Sequence, residues 1–250
     1  MTEPGGRFTW RRLPWPVEVL SIGIGYALYA FIRVLAPDRV STSYRHAWEL
    51  EAIEKQLGLF SELGLNSFLS RHDWLQIGAS YYYATLHFVV TPIVLAWLWK
   101  RRQHLYSRLR SSLVMASVIA LVIYATYPVA PPRFALEGTV DSITLYPVFW
   151  DNGGYGVKGL INELAAMPSL HVGWALWCAA AIVLVCGSRW RHLAWLYPLG
   201  TTLVVVATAN HYVLDAVGGA LVVLVPMALC GLRVLPARPS VLVPSPVSAT

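Results

Sequence analysis

The chain has 250 residues, of which 56% are hydrophobic and only 13% charged, against about 25% charged in soluble domains. That composition excludes an ordinary soluble domain. The formal charge of +6 does not point to nucleic acid, because the basic residues cluster between apolar runs, where membrane topology accounts for them. Eleven Trp and thirteen Tyr suit the aromatic belts of a membrane protein. The expected class is an all-α polytopic membrane helix bundle. Its length accommodates one domain of about six transmembrane helices at ~20 residues each.

In chain order, residues 1–16 carry Arg7, Arg11 and Arg12 and read as a cytoplasmic segment. The apolar run that follows has no small-residue cleavage site and is expected to stay as span 1, about Val17–Leu35. An outer segment, 36–73, contains a helical stretch at 43–60. There Trp48, Ile53, Leu57 and Phe60 fall near one face, with Glu49, Glu51, Glu54 and Lys55 interspersed. This predicts an interfacial amphipathic helix.

Span 2 is about Trp74–Trp99 and ends in Lys100-Arg101-Arg102. Span 3 is about Ser112–Tyr127 and stops at Pro128-Val129-Ala130-Pro131-Pro132-Arg133. A Gly-bearing loop, 134–166, precedes span 4 at about Leu170–Cys186, span 5 at about Leu193–Ala209 and span 6 at about Tyr212–Leu232. The six-span domain therefore runs over 17–233. A tail rich in Pro, Ser and Val, 234–250, is expected to be disordered and cytoplasmic. Cys178, Cys186 and Cys230 all fall in spans and read as packing residues; no metal-ligand spacing is present and no cofactor is implied.

Charge sets the orientation. Twelve of the 19 Lys and Arg lie before span 1, between spans 2 and 3, between spans 4 and 5, and after span 6. By the positive-inside rule both termini are cytoplasmic. Arg133, the island Pro168-Ser169-Leu170-His171 and the island Asn210-His211-Tyr212-Val213-Leu214-Asp215 then share the outer face. Ionisable residues at a membrane boundary are costly and usually functional.

His211 and Asp215 are four residues apart and share a helix face. A carboxylate there can fix the imidazole tautomer and leave the other nitrogen free as nucleophile. His171 supplies a second proton-transfer group. Ser169 and the amides around Leu170 stand at a helix N-terminus, which favours an anion, and Arg133 offers a bidentate fork for phosphate. Each fragment has a bland reading: a structural His–Asp pair, a helix cap, a snorkelling Arg. Their placement on one face favours metal-free phosphoryl transfer.

Pro168-Ser169-Leu170-His171 resembles the Pro-Ser-Gly-His motif of the type 2 phosphatidic acid phosphatase superfamily. His211 with Asp215 resembles its His-x-x-x-Asp motif, and Ala130-Pro131-Pro132-Arg133 its Arg-bearing first motif. The variants present are similar to those of the branch shared with inositol phosphorylceramide synthases. The likeness covers about residues 50–225. It implies that His211 attacks phosphorus, Asp215 orients it and His171 protonates the leaving oxygen, while Arg133, Ser169 and Leu170 hold the phosphate. Two cations of the family pattern are replaced, by Thr126 and Val205. Lys158 and His87 are candidates to compensate. Tyr83 accompanies His87 in span 2, and Asn210 is a candidate to orient His211 or the headgroup, or to cap span 6.

The expectation is an integral-membrane lipid phosphatase at the outer face of the plasma membrane, acting on a lipid phosphomonoester or pyrophosphate through a phosphohistidine. The alternative is a phosphotransferase that passes a phospho-headgroup to an alcohol, as inositol phosphorylceramide synthases do. A transporter fits less well, because the ionisable residues gather at one face and no inverted repeat is visible. The two His and the Asp argue against a non-catalytic lipid-binding protein. The substrate partner is a lipid phosphate; the sequence sets neither the lipid nor the oligomeric state.

Overall fold

The computed structural model describes residues 39–146 and 163–232, with positions 14, 16, 17, 20 and 23 before them. Most of predicted span 1, Lys158 and the tail 234–250 lie outside the described residues. The helices are α1 (Val40–Leu57), α2 (Glu62–Ser70), α3 (Asp73–Arg101), α4 (Gln103–Thr126), α5 (Pro132–Ala135), α6 (Ser142–Leu145), α7 (Leu170–Val185), α8 (Leu196–Ala207) and α9 (Val213–Leu229). A 3₁₀ helix, Arg189–Trp195, leads into α8. Among the described residues the one β-type pairing is a parallel bridge between Val129 and Ala165. The described residues form an all-helical structure, as the composition predicts.

Among the described residues two helices, α3 and α4, are long and apolar enough to cross a bilayer. At 16 and 17 residues, α7 and α9 are apolar but shorter, about 25 Å at 1.5 Å per residue. Both match predicted spans to within a few residues. The outward faces of these helices are apolar: Phe88 and Ile93 on α3, Val118 and Val122 on α4, Leu221 and Leu229 on α9 are all exposed. Such a surface is stable where the surroundings are lipid.

The central element is α7, packed on α3, α4, α8 and α9. It is apolar all round, as a helix enclosed on every side must be. Trp177 is fully buried there, and its Nε1 donates to the Leu109 carbonyl and to Ser112 Oγ, both at 3.1 Å. Such bonds between membrane helices average about 0.6 kcal/mol. Toward the opposite end, α7 and α9 come into backbone contact. A Cβ on Gly219 would stand 2.2 Å from the Ser169 carbonyl oxygen, and one on Gly173 would stand 3.0 Å from the Gly219 carbonyl oxygen. Small residues at such a crossing let two backbones meet.

The amphipathic helix forms where expected, but its polar residues do not all face water. The stripe on the protein is Ser43, Ala47, Leu50 and Glu54, while Trp48, Ile53 and Leu57 point outward. Glu54 is fully buried, a correction to its reading as one of the interspersed polar residues. The segment after it forms α2. There Asn66 is buried and clamps two backbones: Nδ2 donates to the Ala207 and Val140 carbonyls, and Oδ1 accepts from Val140 N–H at 2.7 Å. The first part of predicted loop 134–166 likewise holds the short helices α5 and α6.

Candidate active site

Three segments distant in sequence converge at the end of the bundle where α7 and α9 begin. The first is Pro128–Arg133. Its path is set by α1: His46 Nδ1 lies 2.8 Å from the Pro128 carbonyl, and Ala130 N–H donates to the Ser43 carbonyl at 3.1 Å. The Val129 bridge ties it to Ala165 and Ala166, with Ala166 N–H donating to the Val129 carbonyl at 3.1 Å.

The second segment is Pro168–His171. Tyr124 Oη donates to the Pro168 carbonyl at 2.6 Å. Ser169 is fully buried and is the N-cap of α7, its Oγ accepting from Val172 N–H at 3.4 Å. Its own N–H donates to the Asp215 carbonyl at 2.9 Å. Ser169 thus fixes the start of α7 against α9, with Leu170 as the first helical residue.

The third segment turns from α8 into α9. Ala209 adopts a left-handed conformation, φ 53°, which costs a non-glycine residue on the order of 1 kcal/mol. The turn lets the amides of both Asn210 and His211 donate to the Val205 carbonyl, and it aims the Ala209 carbonyl at Arg133 N–H, 2.8 Å away. Tyr212 is the N-cap of α9, and Asp215 Oδ2 accepts its N–H at 2.8 Å. Asn210 is therefore not the cap.

His211 is buried, and its Nδ1 lies 2.8 Å from the Ala166 carbonyl and 3.4 Å from Asp215 Oδ2. Neither oxygen carries a hydrogen at neutral charge balance, so Nδ1 must hold the proton and donate it. Nε2 is then a lone pair, and it is buried without a hydrogen-bond partner. The His171 ring is 5.6 Å away, centroid to centroid. Tyr83 stacks on His171 at 4.3 Å, and His87 meets it edge-on at 4.3 Å. These two span residues are thus placed beside His171.

Arg133 approaches from the opposite wall. Its Nη1 donates to Asn210 Oδ1, and its Nε lies 3.6 Å from Asp141 Oδ2. Asn210 Nδ2 donates in turn to Thr208 Oγ1 at 2.8 Å. The Asn210 side chain is thus bonded to Arg133 and Thr208, away from the His211 ring that it was a candidate to orient. A cavity of about 40 Å³ opens between Arg133, His211, Tyr83, Asn210, Glu163 and Ala166. Behind it a smaller void of about 10 Å³ is lined by Tyr83, His87, His171, Tyr197 and Val205, room for about one water.

Neither substituted position supplies a cation. Thr126 Oγ1 bonds back to the Val122 carbonyl of its own helix at 2.8 Å, and Val205 is fully buried in the wall of the inner void. Among the described residues no group of three or more His, Cys, Asp or Glu is placed to hold a metal ion. Lys158 lies outside the described residues. Four participants have no site role that the sequence predicts. Asp141 doubles as the N-cap of α6, a weak signal in Asp-Ser-Ile. The Ala166 carbonyl has no signal at all. The acids Glu54 and Glu62 accept the first amides of α9.

Among curated proteins and among solved structures, nothing matches this chain. A family model described as the PAP2 superfamily matches residues 48–229. The matched region contains all three converging segments and more than half of the sequence; the chain belongs to the PAP2 superfamily.

Proposed function

We propose that this protein is an integral-membrane lipid phosphatase that works through a phosphohistidine on His211. Membership of the superfamily supports a phosphoesterase-type membrane enzyme acting on lipid phosphates. The observation that carries the finer reading is the state of His211: Nδ1 is committed to Ala166, Nε2 is a buried, unpartnered lone pair, and the residue lines the Arg133 cavity. In this mechanism Nε2 attacks phosphorus and the lipid alcohol leaves with a proton from His171. Arg133 holds the phosphoryl oxygens, and Asp215 offsets the charge that develops on the imidazole. Water activated by His171 then cleaves the P–N bond and regenerates His211.

The reading includes six spans, cytoplasmic termini and a site on the outer face of the plasma membrane, on the strength of the charge bias. The second reading is transfer of a phospho-headgroup to an alcohol. Arg133 is already bonded to Asp141 and Asn210, and Thr126 and Val205 add no charge, which suits a less highly charged phosphodiester. A panel of lipid phosphomonoesters and phosphodiesters, with and without alcohol acceptors, separates the two by free phosphate against new phosphodiester. His211→Ala should abolish turnover and any acid-labile phosphoenzyme. Substantial turnover in that variant would remove His211 from the nucleophile's role.

A further inference from the structure

Behind the nucleophile, three carboxyl groups crowd one helix terminus. Asp215 accepts from Tyr212 N–H, Glu62 Oε1 from Val213 N–H at 3.0 Å, and Glu54 Oε1 from Leu214 N–H at 2.6 Å. Three successive amides of α9 thus end on acids from three different helices. Such termini favour negative charge, but Glu54, Glu62 and Asp215 are all fully buried, and three uncompensated carboxylates in one buried site are prohibitively costly.

Glu62 is satisfied as an acceptor on both oxygens, since Oε2 takes Ser61 N–H at 2.8 Å. Glu54 is not: its Oε2 has no donor, although its carboxyl is within hydrogen-bond reach of Glu62. Two acceptor-only groups meet there only if a proton lies between them.

We propose that Glu54 and Glu62 share one proton and act as a positioning pair that locks the N-terminus of α9, and with it His211 and Asp215, against α1 and α2. The shared proton stands on the burial of both acids, their amide bonds to successive residues of one turn and the donor that Glu54 Oε2 lacks; its effect on turnover rests on the assignment of His211 as nucleophile. The surroundings agree. Burial, first, and then the hydrogen bond from Glu62 push the Glu54 carboxyl up from its ordinary 4.5 to about 8. The other ionisable groups facing the pair are Asp215 and Tyr212 at the start of α9, with His211 behind Asp215, and Glu51 on the same helix as Glu54. Glu51 is matched by Lys55 at 2.6 Å, so the cation closest in sequence is already engaged.

Because the folded-state value is raised, the pair stabilises the fold fully below about pH 4.5. That contribution shrinks as pH rises toward 8 and is gone above it. The test measures thermal stability and turnover of the full chain in detergent from pH 5 to 9.5, for the wild type, Glu54→Gln and Glu62→Gln. A Gln at 54 still accepts from Leu214 N–H and donates to Glu62, so it mimics the protonated state.

The wild-type Tm should fall by about 5 °C or more between pH 5 and 8 relative to Glu54→Gln, then run parallel to it. The wild-type turnover should show an alkaline fall near pH 8, which Glu54→Gln shifts upward by at least one pH unit. A pair serving only as a cap would offset Tm equally at every pH in both variants, and that result overturns the proposal. If Glu54→Gln does not fold, Glu62→Gln carries the same comparison. The Tm series reads the shared proton even where no substrate is turned over, so its failure is distinct from failure of the assigned chemistry.

Discussion

The contact between Gly219 and Ser169 is the tightest mechanical link between the two histidine-bearing segments, and Gly219→Ala tests it. A methyl there would begin 2.2 Å from the Ser169 carbonyl oxygen, where ordinary contacts start at 3.4 Å, so the backbones must separate by about 1 Å. No flexible side chain can absorb this, since the obstacle is main chain. The displaced carbonyl belongs to the residue whose N–H holds the Asp215 carbonyl at 2.9 Å, so His171 and His211 move apart together with it. A misplacement of about 1 Å costs on the order of 100-fold in rate, and overpacking costs about 1–3 kcal/mol, or about 2–12 °C in Tm for a chain of this size. The assay is phosphate release from a lipid phosphomonoester in mixed micelles, paired with thermal unfolding. Gly64→Ala, with nothing within 4 Å of its Cβ, serves as the control and should keep wild-type turnover, with Tm equal or a few degrees higher because it replaces a helical glycine. Wild-type turnover and Tm in Gly219→Ala would refute the close packing on which the site's geometry depends.

Three further outcomes follow from the same geometry. Asp215→Asn should lower kcat by about 100-fold or less, because the Ala166 carbonyl still fixes the tautomer; where a carboxylate alone does so the change costs about 10⁴-fold, and a loss as complete as that of His211→Ala would contradict the assignment. Asp141→Asn keeps the cap of α6 but removes the charge beside Arg133, so the KM for a dianionic lipid phosphate should drop several-fold with little change in Tm; a raised KM would argue that Asp141 positions Arg133 instead. Ala209→Gly relieves a left-handed residue of about 1 kcal/mol and should leave Tm equal or a few degrees higher with turnover retained, whereas a clear fall in Tm would argue that the turn is not left-handed in solution.

Much of this arrangement is legible in the sequence because lipid makes polar residues conspicuous. His171, His211, Asp215 and Arg133 stand out against apolar runs, and the distribution of Lys and Arg predicts their convergence before any coordinate is known. The misreadings share one cause. Glu54 on a helix with an apolar stripe reads as solvated; its burial depends on the Leu214 amide, 160 residues further on, which no local pattern encodes. Asn210 next to His211 invites a direct partnership, yet the left-handed turn at Ala209 points it at Arg133. Helix α2 has no clear local signature, because Glu62-Leu63-Gly64-Leu65-Asn66 carries a buried acid and amide where a surface pattern expects polarity to face outward.

The oxygen that holds His211 Nδ1 belongs to the main chain of Ala166. Any side chain at position 166 that fits the fold presents the same carbonyl, so this contribution is shielded from genetic change. Its inheritance is guaranteed by the Val129–Ala165 bridge and not by residue identity. Substitution at Ala166 will therefore look inconsequential for the chemistry, while replacement of its peptide bond by an ester or thioamide, which weakens the acceptor, would expose its share of the rate. The most dependable partner of the proposed nucleophile is one that the genetic code cannot delete.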